Sequence, residues 1–333
     1  MKTTGMVLGK FCPLHLGHKY LLSTALSQVD TLYVVIDGIM DSVFPLVERE
    51  RWLKEEISNA TILSLKKTLP QFPEETPLFW EIWKKELTDI LPEKIDFIFA
   101  SETYGERLAE ELSAKFVCVD IHRKKVPVSG TMIRNSVYQN WNFLTNVVKR
   151  YFGIKICVVG PESTGKTTIS RGLSDYFKAP LVSEYAETLI REQKGHIKAA
   201  DMDIIIERHQ NDIDSKLALN PPLTIIDTDA IMSKIWSDEL FSYTPVGIES
   251  FISRQKFDLY LLMGIDLDWE DDVHRFKKIS RQHFFYRCCR ELEAYNRNYI
   301  IIEGKGEKRF ETALLAVNEY MKLKGLTNHL NDV

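Results

Sequence analysis

The sequence predicts an α/β protein made of two parallel β-sheets, one after the other. Short apolar runs alternate with amphipathic stretches along the chain, and this alternation stops and restarts near residue 150. The length of 333 residues also suits two domains, since a domain usually has roughly 100–200 residues. We therefore place one domain at residues 1–150 and the other at residues 151–333.

The first half is predicted to contain five strands separated by helices. Its apolar runs occupy residues 6–8, 31–36, 60–65, 96–100 and 116–119. Apolar side chains from Leu22 to Val29 follow the spacing of one helix face, Pro45 and Pro77 each suit the first turn of a helix, and residues 102–113 form a fourth helix. This alternation is typical of a parallel sheet with helices on both faces.

The second half repeats the pattern. Residues 154–159 form a predicted strand, which a Gly-rich turn and a helix from Lys166 follow. Further buried strands are predicted at residues 223–226, 259–263 and 299–302. Residues 138–152 fit no strand and precede the restart, which supports the boundary near residue 150.

The overall charge points to no macromolecular partner. The net charge is −4 and the pI about 6.1, so we expect neither a nucleic acid nor an anionic membrane as partner, and phosphates must be bound by local sites. The five cysteines form no CxxC pair, and the N-terminus does not resemble a signal peptide. With no apolar run of about 18 residues, we expect a cytoplasmic protein.

The sequence Gly9–His18, GKFCPLHLGH, is the first candidate site. His15 and His18 lie between a predicted strand and a helix, and Gly17 allows a ligand to approach the backbone closely. A helix N-terminus attracts phosphate, and two imidazoles beside it are placed to donate hydrogen bonds to a phosphorus centre. The alternative is coincidence, because HxGH is a short pattern.

A second element of the first half has the sequence VSGTMIR. Ser129 suits a helix N-cap, and Thr131 and Arg134 then fall within one helical turn. Arginine binds phosphate with a two-pronged fork. The alternative is an ordinary capped helix with a solvated arginine. Glu48–Leu53 also contains two arginines, Arg49 and Arg51, for which a solvated helix face is the simple interpretation.

The second half opens on a complete GxxxxGK[ST] motif, GPESTGKT. It follows the apolar strand and begins a helix, which is the structural context that a phosphate-binding loop requires. In such a loop backbone N–H groups surround the phosphates, the lysine reaches the β- and γ-phosphates, and the threonine binds Mg²⁺. The candidate nucleotide-binding residues are Gly160, Glu162, Ser163, Thr164, Gly165, Lys166, Thr167 and Thr168.

Acidic residues follow two other strands of the second half. Asp227 ends an apolar strand and suits the carboxylate that holds the metal together with Thr167, while Thr228 and Asp229 follow it. Glu184 and Tyr185 follow a further predicted strand, the second of this half in chain order, which ends before Ser183. A carboxylate at this point is placed to accept a proton from a substrate hydroxyl. Either Glu184 or Asp229 is a candidate base. An ordinary strand-end turn is the alternative for Asp227.

A basic segment lies late in the second half, at residues 269–281. It contains Arg275, Lys277, Lys278 and Arg281. In a P-loop kinase such a segment suits a lid that closes over the γ-phosphate, and a solvated charged helix is the alternative.

The two motifs of the first half together resemble the HxGH nucleotidyltransferases, a Rossmann-like family whose second signature is close to ISxTxxR. The resemblance implies transfer of a nucleotidyl group from a nucleoside triphosphate, with release of pyrophosphate. It implies catalysis by His15, His18 and Arg134. The implied ATP- and NAD-binding residues are Gly9, Lys10, Phe11, Pro13, His18, Asp37, Trp80, Trp83, Ser101, Glu102, Tyr104, Ser129, Thr131 and Arg134. Core packing is the alternative for the tryptophans.

The order of all the motifs resembles the NadR family, in which an HxGH adenylyltransferase precedes a P-loop nucleoside kinase. The resemblance implies that the second domain phosphorylates ribosylnicotinamide with ATP, through Lys166, Asp227 and Glu184. The first domain would then join the product, nicotinamide mononucleotide (NMN), to AMP and give NAD. Mg²⁺ is the implied cofactor and ATP the co-substrate.

The chain also departs from the family. Some members carry an N-terminal helix-turn-helix, whereas here the first strand begins close to Met1, so we expect no DNA binding. Ile121 follows Asp120 where the family usually has Pro, and Val273 replaces a usual Gly in the lid. The alternatives are the same two folds acting on another acceptor, or a regulator with one inactive domain. The sequence leaves open whether the protein forms a homo-oligomer.

Overall fold

A computed structural model describes residues 2–38, 43–267 and 280–324. The chain divides into two compact units, residues 1–151 and residues 152–333. Each unit contains its own parallel sheet, so the predicted α/β class with parallel sheets is confirmed. In the part of the chain that the structure describes, no helix is both long enough and apolar enough to cross a membrane.

The first unit is a five-stranded parallel sheet in the order β3-β2-β1-β4-β5. Its elements are β1 (Thr4–Gly9), α1 (Leu16–Leu26), β2 (Thr31–Ile36), α2 (Leu46–Glu56), β3 (Thr61–Ser64), α3 (Phe79–Ile90), β4 (Phe97–Ala100), α4 (Tyr104–Glu111), β5 (Lys115–Cys118), α5 (Gly130–Asn135) and α6 (Asn146–Phe152). Because β1 is central and the chain crosses from one side of it to the other, the loops that follow β1 and β4 border the crevice in which such sheets bind ligands.

One face of this sheet packs on helix α3. Met6 and Val35 of the sheet are fully buried and pack against one face of α3. That face presents Phe79, Trp83 and Leu87, which are four residues apart and therefore lie in one row along the helix. The helix begins at Phe79 rather than at the predicted Pro77.

The second unit is another five-stranded parallel sheet, in the order β10-β9-β6-β8-β7. Its elements are β6 (Ile154–Val159), α7 (Lys166–Phe177), β7 (Leu181–Val182), α8 (Tyr185–Glu192), α9 (Asp201–Leu217), β8 (Leu223–Asp227), α10 (Ala230–Phe241), α11 (Ile248–Arg254), β9 (Leu259–Met263), α12 (Arg281–Ala294), β10 (Tyr299–Ile302) and α13 (Glu307–Leu323).

The strand β6 is central in this sheet, and the described residues of β6, β8 and β9 are almost wholly buried. Such continuous apolar strands are expected where both faces of a parallel sheet are covered. The Gly-rich loop after β6 and the turn after β8 therefore lie at the same edge of the sheet, next to one another.

Candidate active sites in the two units

The first unit has a cavity of about 580 Å³ at the carboxyl ends of its strands. Loops after β1, β2 and β4 and the start of α5 supply its walls. The predicted residues that line it are Gly9, Lys10, Phe11, His15, His18, Asp37, Trp80, Trp83, Ser101, Glu102, Tyr104, Ser129, Thr131 and Arg134. Pro13 is buried, but it is not part of the cavity lining.

The two histidines form a stacked pair at the start of α1. Their ring centroids are 3.7 Å apart with an interplanar angle of 20°. His15 caps the helix, because its Nδ1 accepts a hydrogen bond from the His18 backbone N at 3.3 Å. A neutral His15 therefore carries its proton on Nε2 and offers that atom as a donor.

Their surroundings keep both imidazoles neutral. Burial, together with the charges of Arg123 and Arg134, lowers the pKa of His15 to about 4. Burial, with His15 and Arg123, holds the pKa of His18 well below its usual range. Among the described residues, the buried Nδ1 of His18 has no hydrogen-bond partner. Neutral imidazoles next to a helix N-terminus are suited to donate hydrogen bonds to phosphate.

The second motif faces the same cavity. Ser129 caps α5 through a 3.1 Å hydrogen bond from the Met132 backbone N. Arg134 donates to the Cys12 carbonyl at 2.6 Å and to the Thr131 hydroxyl at 2.9 Å. These contacts hold an exposed guanidinium in the cavity lining, hydrogen-bonded to the loop that precedes the histidines.

Arg49 corrects the interpretation of its helix as a solvated face. Its side chain is wholly buried and donates to the Lys10 carbonyl at 2.9 Å, the Asp37 carbonyl at 2.8 Å and the Phe44 carbonyl at 3.2 Å. Arg51 does lie exposed, where it pairs with glutamates of its own helix. Arg49 thus connects the loop after β1 to the end of β2 and to the segment before α2. The sequence of Glu48–Leu53 contains nothing that distinguishes the buried Arg49 from the exposed Arg51.

The two tryptophans differ. Trp83 packs in the core and donates its indole N–H to the Pro70 carbonyl at 2.9 Å, so the core-packing alternative holds for it, although its edge reaches the cavity. Trp80 is half-buried, with Phe79 at 5.0 Å on one side and the Arg107 guanidinium 5.9 Å from its ring centroid. Ring stacking on a ligand stays a prediction for Trp80.

Several other polar groups line this cavity. Asp37 is 3% exposed, burial raises its pKa, and its Oδ1 has no hydrogen-bond partner among the described residues. Tyr104 donates to the Leu8 carbonyl at 2.8 Å, and Glu102 accepts from Arg123 at 3.3 Å. The orphaned carboxylate oxygen is suited to a ligand that donates a hydrogen bond.

The prediction missed Arg123, which lines the cavity. It follows Asp120 in the loop where the chain departs from the family pattern. The Asp120 carboxylate accepts backbone hydrogen bonds from Lys124, Lys125 and Val126, which fixes this loop. The positive charge of Arg123 helps to lower the pKa of both histidines. Only its position after the fifth strand hinted at this role.

The second unit has a cavity of about 650 Å³ over its phosphate-binding loop. Gly160 and Gly165 adopt φ values of 142° and 81°, which disfavour other residues. The Lys166 ammonium lies 3.1 Å from the Pro161 carbonyl, and the Thr164 hydroxyl donates to the same carbonyl at 2.7 Å. The residues Glu162, Ser163, Thr164, Gly165, Lys166, Thr167 and Thr168 all line the cavity.

The oxygen atoms for a metal ion lie at the base of this loop. Asp227 is 1% exposed and its Oδ1 has no hydrogen-bond partner among the described residues. Burial raises its pKa, while Lys166 and a hydrogen bond with Thr167 act in the opposite direction. Thr167 also donates to Glu187 at 3.1 Å. A buried, unpartnered carboxylate oxygen beside a hydroxyl suits Mg²⁺, a hard ion that prefers oxygen ligands.

The protein supplies few ligands for such an ion. Within residues 2–38, 43–267 and 280–324, no group of three or more His, Cys, Asp or Glu side chains is arranged to hold a metal. The usual Mg²⁺ site of nucleotide enzymes needs only one or two protein groups, which act together with phosphate oxygens and water.

The candidate bases separate clearly. Glu184 lines the cavity, and burial raises its pKa against the lowering effect of Lys166. Asp229 instead caps α10, accepting from the Met232 N at 2.9 Å and from the Tyr260 hydroxyl at 3.1 Å. Its side chain is buried in the protein, which differs from the expectation that it faces the nucleotide. Glu184 is therefore the better placed carboxylate.

Among the predicted residues that the structure describes, Gly160, Tyr185, Asp227 and Asp229 are not part of the cavity lining. Tyr185 packs against the apolar cluster of Leu189, Met202 and Ile205 instead of lining the cavity. Arg275 and its lysine neighbours lie outside the described residues. Thr228 does line the cavity, directly after Asp227.

Several wall residues of the second cavity were missed, among them Glu187, Arg191, Trp236 and Arg309. Glu187 lies three residues after Glu184, and this helical spacing is a signal that the sequence contains. Arg309 is 3% exposed and donates to Asp266, Gly264 and Gly304, which belong to loops after β9 and β10. Such long-range contacts leave no local pattern.

Comparison with known proteins covers both units. A family model described as an AAA domain matches residues 155–309. The chain is similar to the trifunctional NAD biosynthesis/regulator protein NadR of Escherichia coli (strain K12), with 26% identity over 96% of this chain and 84% of the relative. The protein of the same name from Salmonella typhimurium (strain LT2) is 25% identical over 97% of this chain and 85% of the relative.

Solved structures share the fold. A crystal structure of NadR protein in complex with NAD and AMP-PNP has a TM-score of 0.62 and 24% identity, and the match covers 99% of this chain and 98% of that one. A structure of NadR protein in complex with NR has a TM-score of 0.64 and 24% identity, with 96% of each chain covered. The fold of the whole chain is thus that of NadR structures.

Proposed function

We propose that this homologue of the NadR proteins makes NAD in two steps, one in each unit. Residues 152–333 phosphorylate the 5′-hydroxyl of ribosylnicotinamide with ATP. Residues 1–151 then join the resulting NMN to the AMP part of a second ATP. The observation that carries this proposal is the presence of two phosphate sites of different kinds, a neutral histidine pair in one unit and a phosphate-binding loop in the other.

The adenylyl transfer needs positioning and charge stabilisation but no covalent intermediate. A phosphate oxygen of NMN attacks the α-phosphorus of ATP, a new P–O bond forms, and the bond to the β-phosphate oxygen breaks to release pyrophosphate. His15 and His18 donate hydrogen bonds to the oxygens that gain charge. Arg134 and Thr131, which are already bonded to each other, bind the β- and γ-phosphates, and Lys10 adds positive charge.

The kinase step places a hydroxyl against the γ-phosphorus. Glu184 accepts the proton of the 5′-hydroxyl, and its raised pKa suits a group that must bind and release a proton near neutral pH. Lys166 neutralises charge on the γ-phosphoryl group as it moves from ATP to the hydroxyl, and ADP remains as the second product. Thr167 and Asp227 would hold Mg²⁺, and the bound ion would neutralise charge on the phosphate oxygens.

The relatives support the choice of substrates. The two bacterial relatives are described as NAD biosynthesis proteins, and the NadR structures hold NAD with AMP-PNP in one case and NR in the other. The half-buried Trp80 in the wall of the first cavity adds an aromatic surface, which attracts a cationic pyridinium ring.

A product assay tests the proposal. Purified protein with ATP and Mg²⁺ is given either NMN or ribosylnicotinamide, and we expect NAD from both. His18→Ala should abolish NAD formation from NMN and still allow ribosylnicotinamide to become NMN. Lys166→Ala should give the reverse pattern, so each variant is the folding control of the other. Absence of NAD from NMN with the unaltered protein would refute the adenylyl transfer, and absence of both NMN and NAD from ribosylnicotinamide would refute the kinase step.

A further inference from the structure

Thr228 has an unusual backbone conformation next to the candidate metal ligand Asp227. Its φ is +71°, in the left-handed region, and its side chain is 6% exposed. Among the described residues with positive φ other than glycine, it is the one with a β-branched side chain. For such residues this conformation is a true outlier and persists only where the surroundings enforce it.

Three hydrogen bonds hold Thr228 in this conformation. Its N–H donates to the Val158 carbonyl at 2.9 Å, which fixes it to β6. Its carbonyl accepts from His209 Nε2 at 3.2 Å and from the Cys157 thiol at 3.4 Å. A carbonyl only accepts, so His209 carries a proton on Nε2. A thiol is a weak donor, which makes His209 the stronger of the two.

His209 is a buried polar residue that contacts two backbone segments of the candidate site. It lies on α9 and is 3% exposed. Burial lowers its pKa, while hydrogen bonds with the backbone of Thr228 and of Ser183 act in the opposite direction. Ser183 directly precedes Glu184, so the ring lies between the backbones that lead into the candidate base and out of the candidate metal ligand.

The conformation of Thr228 determines where its neighbours point. Asp227 precedes it, hydrogen-bonds with Thr167 and has an unpartnered oxygen. Asp229 follows it and is fixed as the cap of α10. Asp227 itself ends β8 opposite Val158 of β6. With Asp229 fixed, relaxation of Thr228 to negative φ would have to break the hydrogen bond from its N–H to the Val158 carbonyl and tilt the peptide that carries Asp227.

We infer that His209 is a positioning residue: it holds Thr228 in the left-handed conformation and so directs the Asp227 carboxylate at the phosphate-binding loop. This inference rests on the proposed kinase function. His209 acts through the Thr228 carbonyl and touches no substrate. Removal of a group that orients a metal-binding residue typically lowers metal affinity or activity by about 10–100-fold.

Four variants test this inference, and each can be compared with unaltered protein. His209→Leu removes the donor at similar volume. His209→Gln keeps an N–H donor at the position of Nε2. Thr228→Gly adopts positive φ without a steric penalty, so it should no longer depend on His209. The double variant with Thr228→Gly and His209→Leu completes a cycle that measures the coupling between the two positions.

The readouts are the affinity for ATP with and without Mg²⁺, by calorimetry, and kcat and KM for ribosylnicotinamide phosphorylation. We expect His209→Leu to weaken Mg²⁺-dependent ATP binding and kcat by roughly tenfold or more, with KM for the nucleoside little changed. His209→Gln should recover most of the loss. In the Thr228→Gly background, His209→Leu should lower Mg²⁺-dependent ATP affinity and kcat by less than about threefold.

Failure of this inference and failure of the proposed function would give different results. An equal loss from His209→Leu in both backgrounds would show that it does not act through Thr228 and would overturn the inference. So would a loss confined to melting temperature, or one that His209→Gln does not recover. If ribosylnicotinamide is not a substrate of the unaltered protein, the proposed function fails, and the Mg²⁺-ATP binding cycle still decides the role of His209. NAD formation from NMN should be unchanged in all four variants.

Discussion

At the scale of single residues, each unit depends on a buried arginine that bonds to main-chain carbonyls. Arg49 donates to three carbonyls in the first unit, and Arg309 donates to two carbonyls and the Asp266 carboxylate in the second. In both cases the loops so joined border the cavity. A guanidinium has five N–H donors in a rigid plane, which lysine cannot reproduce. These arginines therefore act on cavity shape as well as on stability.

Arg49→Met should destabilise the first unit strongly. The change removes the donor from three carbonyls, two of them in fully buried contacts, and each buried group left unpaired costs about 1–3 kcal/mol. We expect the free energy of unfolding, measured by urea denaturation, to fall by about 3 kcal/mol or more. Arg51→Met on the same helix is the matched control. Because Arg51 is exposed, it should cost less than about 1 kcal/mol, and equal losses would contradict the role of Arg49.

His15 should remain neutral well below the usual range for histidine. Its pKa of about 4 compares with 6.5 for a free side chain, so NAD formation from NMN should not decline between pH 7 and pH 5 through this group. The unfolded chain binds the proton more readily, so stability is complete above pH 6.5 and falls as the pH drops toward 4, by about 3 kcal/mol in all.

Titration by NMR of the His15 ring would check this. Arg123→Gln removes one of the charges that lower its pKa and should move the titration to higher pH. A midpoint near 6.5 in the unaltered protein would contradict the buried, neutral pair.

At the scale of elements, helix ends in this protein carry the functional side chains. His15 caps α1, Ser129 caps α5 and Asp229 caps α10, each through a side chain that accepts a backbone N–H. Parallel sheets place these helix starts at one edge, beside the ends of the strands. A cap next to a binding site can therefore resemble a ligand group in the sequence, and for Asp229 the structure shows the capping contact.

Asp229 and Glu184 should respond oppositely to removal of their charge. Asp229→Asn keeps an N-cap acceptor for Met232, so kcat for ribosylnicotinamide phosphorylation should change less than about threefold. Glu184→Gln removes the proposed base and should lower kcat by roughly 10²–10⁴-fold, the usual range for such a group. The steady-state kinetics of both variants, with melting temperatures as the folding control, decide between the two carboxylates. A large loss for Asp229→Asn with a normal melting temperature would reverse the assignment.

Much of the architecture was available from the sequence, because its signals are local. Apolar runs gave the strands, and the two phosphate motifs each lay between a strand and a helix, as predicted. The long helix α9 was not predicted, although Met202, Ile205, His209 and Ile213 follow helical spacing. His209 occupies a buried position there, and its polar contact is with a residue that lies 19 positions further on.

The sites were less predictable because their supporting contacts are distant in sequence. The contact from Arg49 to the Lys10 carbonyl spans 39 residues, and that from Arg309 to the Gly264 carbonyl spans 45. Arg123 was hidden for another reason: its loop differs from the family pattern, and Asp120 fixes it through backbone bonds alone. Motifs identify the groups that meet a ligand, whereas the contacts that hold them in place have no fixed spacing.

At the scale of the whole molecule, the two units each contain a complete sheet and one candidate site. No residue of the first cavity comes from the second unit's described residues, and the converse also holds. The two proposed reactions are therefore separable in principle, with NMN released by one unit and taken up by the other.

Each unit should retain its own reaction when it is produced alone. We expect residues 1–151 to form NAD from NMN, and residues 152–333 to form NMN from ribosylnicotinamide, with KM values within about threefold of the full chain. Mixing the two should restore NAD formation from ribosylnicotinamide. Product analysis of the separate and mixed units is the measurement. A folded unit without its reaction would mean that its site depends on the other half of the chain.

The phosphate-binding loop already has internal partners for its two key side chains. Lys166 bonds to the Pro161 carbonyl and Thr167 to the Glu187 carboxylate. When ATP binds, these groups exchange one acceptor for another, so the number of their hydrogen bonds need not rise. For Lys166 the gain then comes chiefly from charge, as phosphate replaces a neutral carbonyl at the ammonium. Charge attraction is screened by dissolved ions over about 10 Å at 0.1 M, and the second unit should therefore bind ATP more weakly as ionic strength increases.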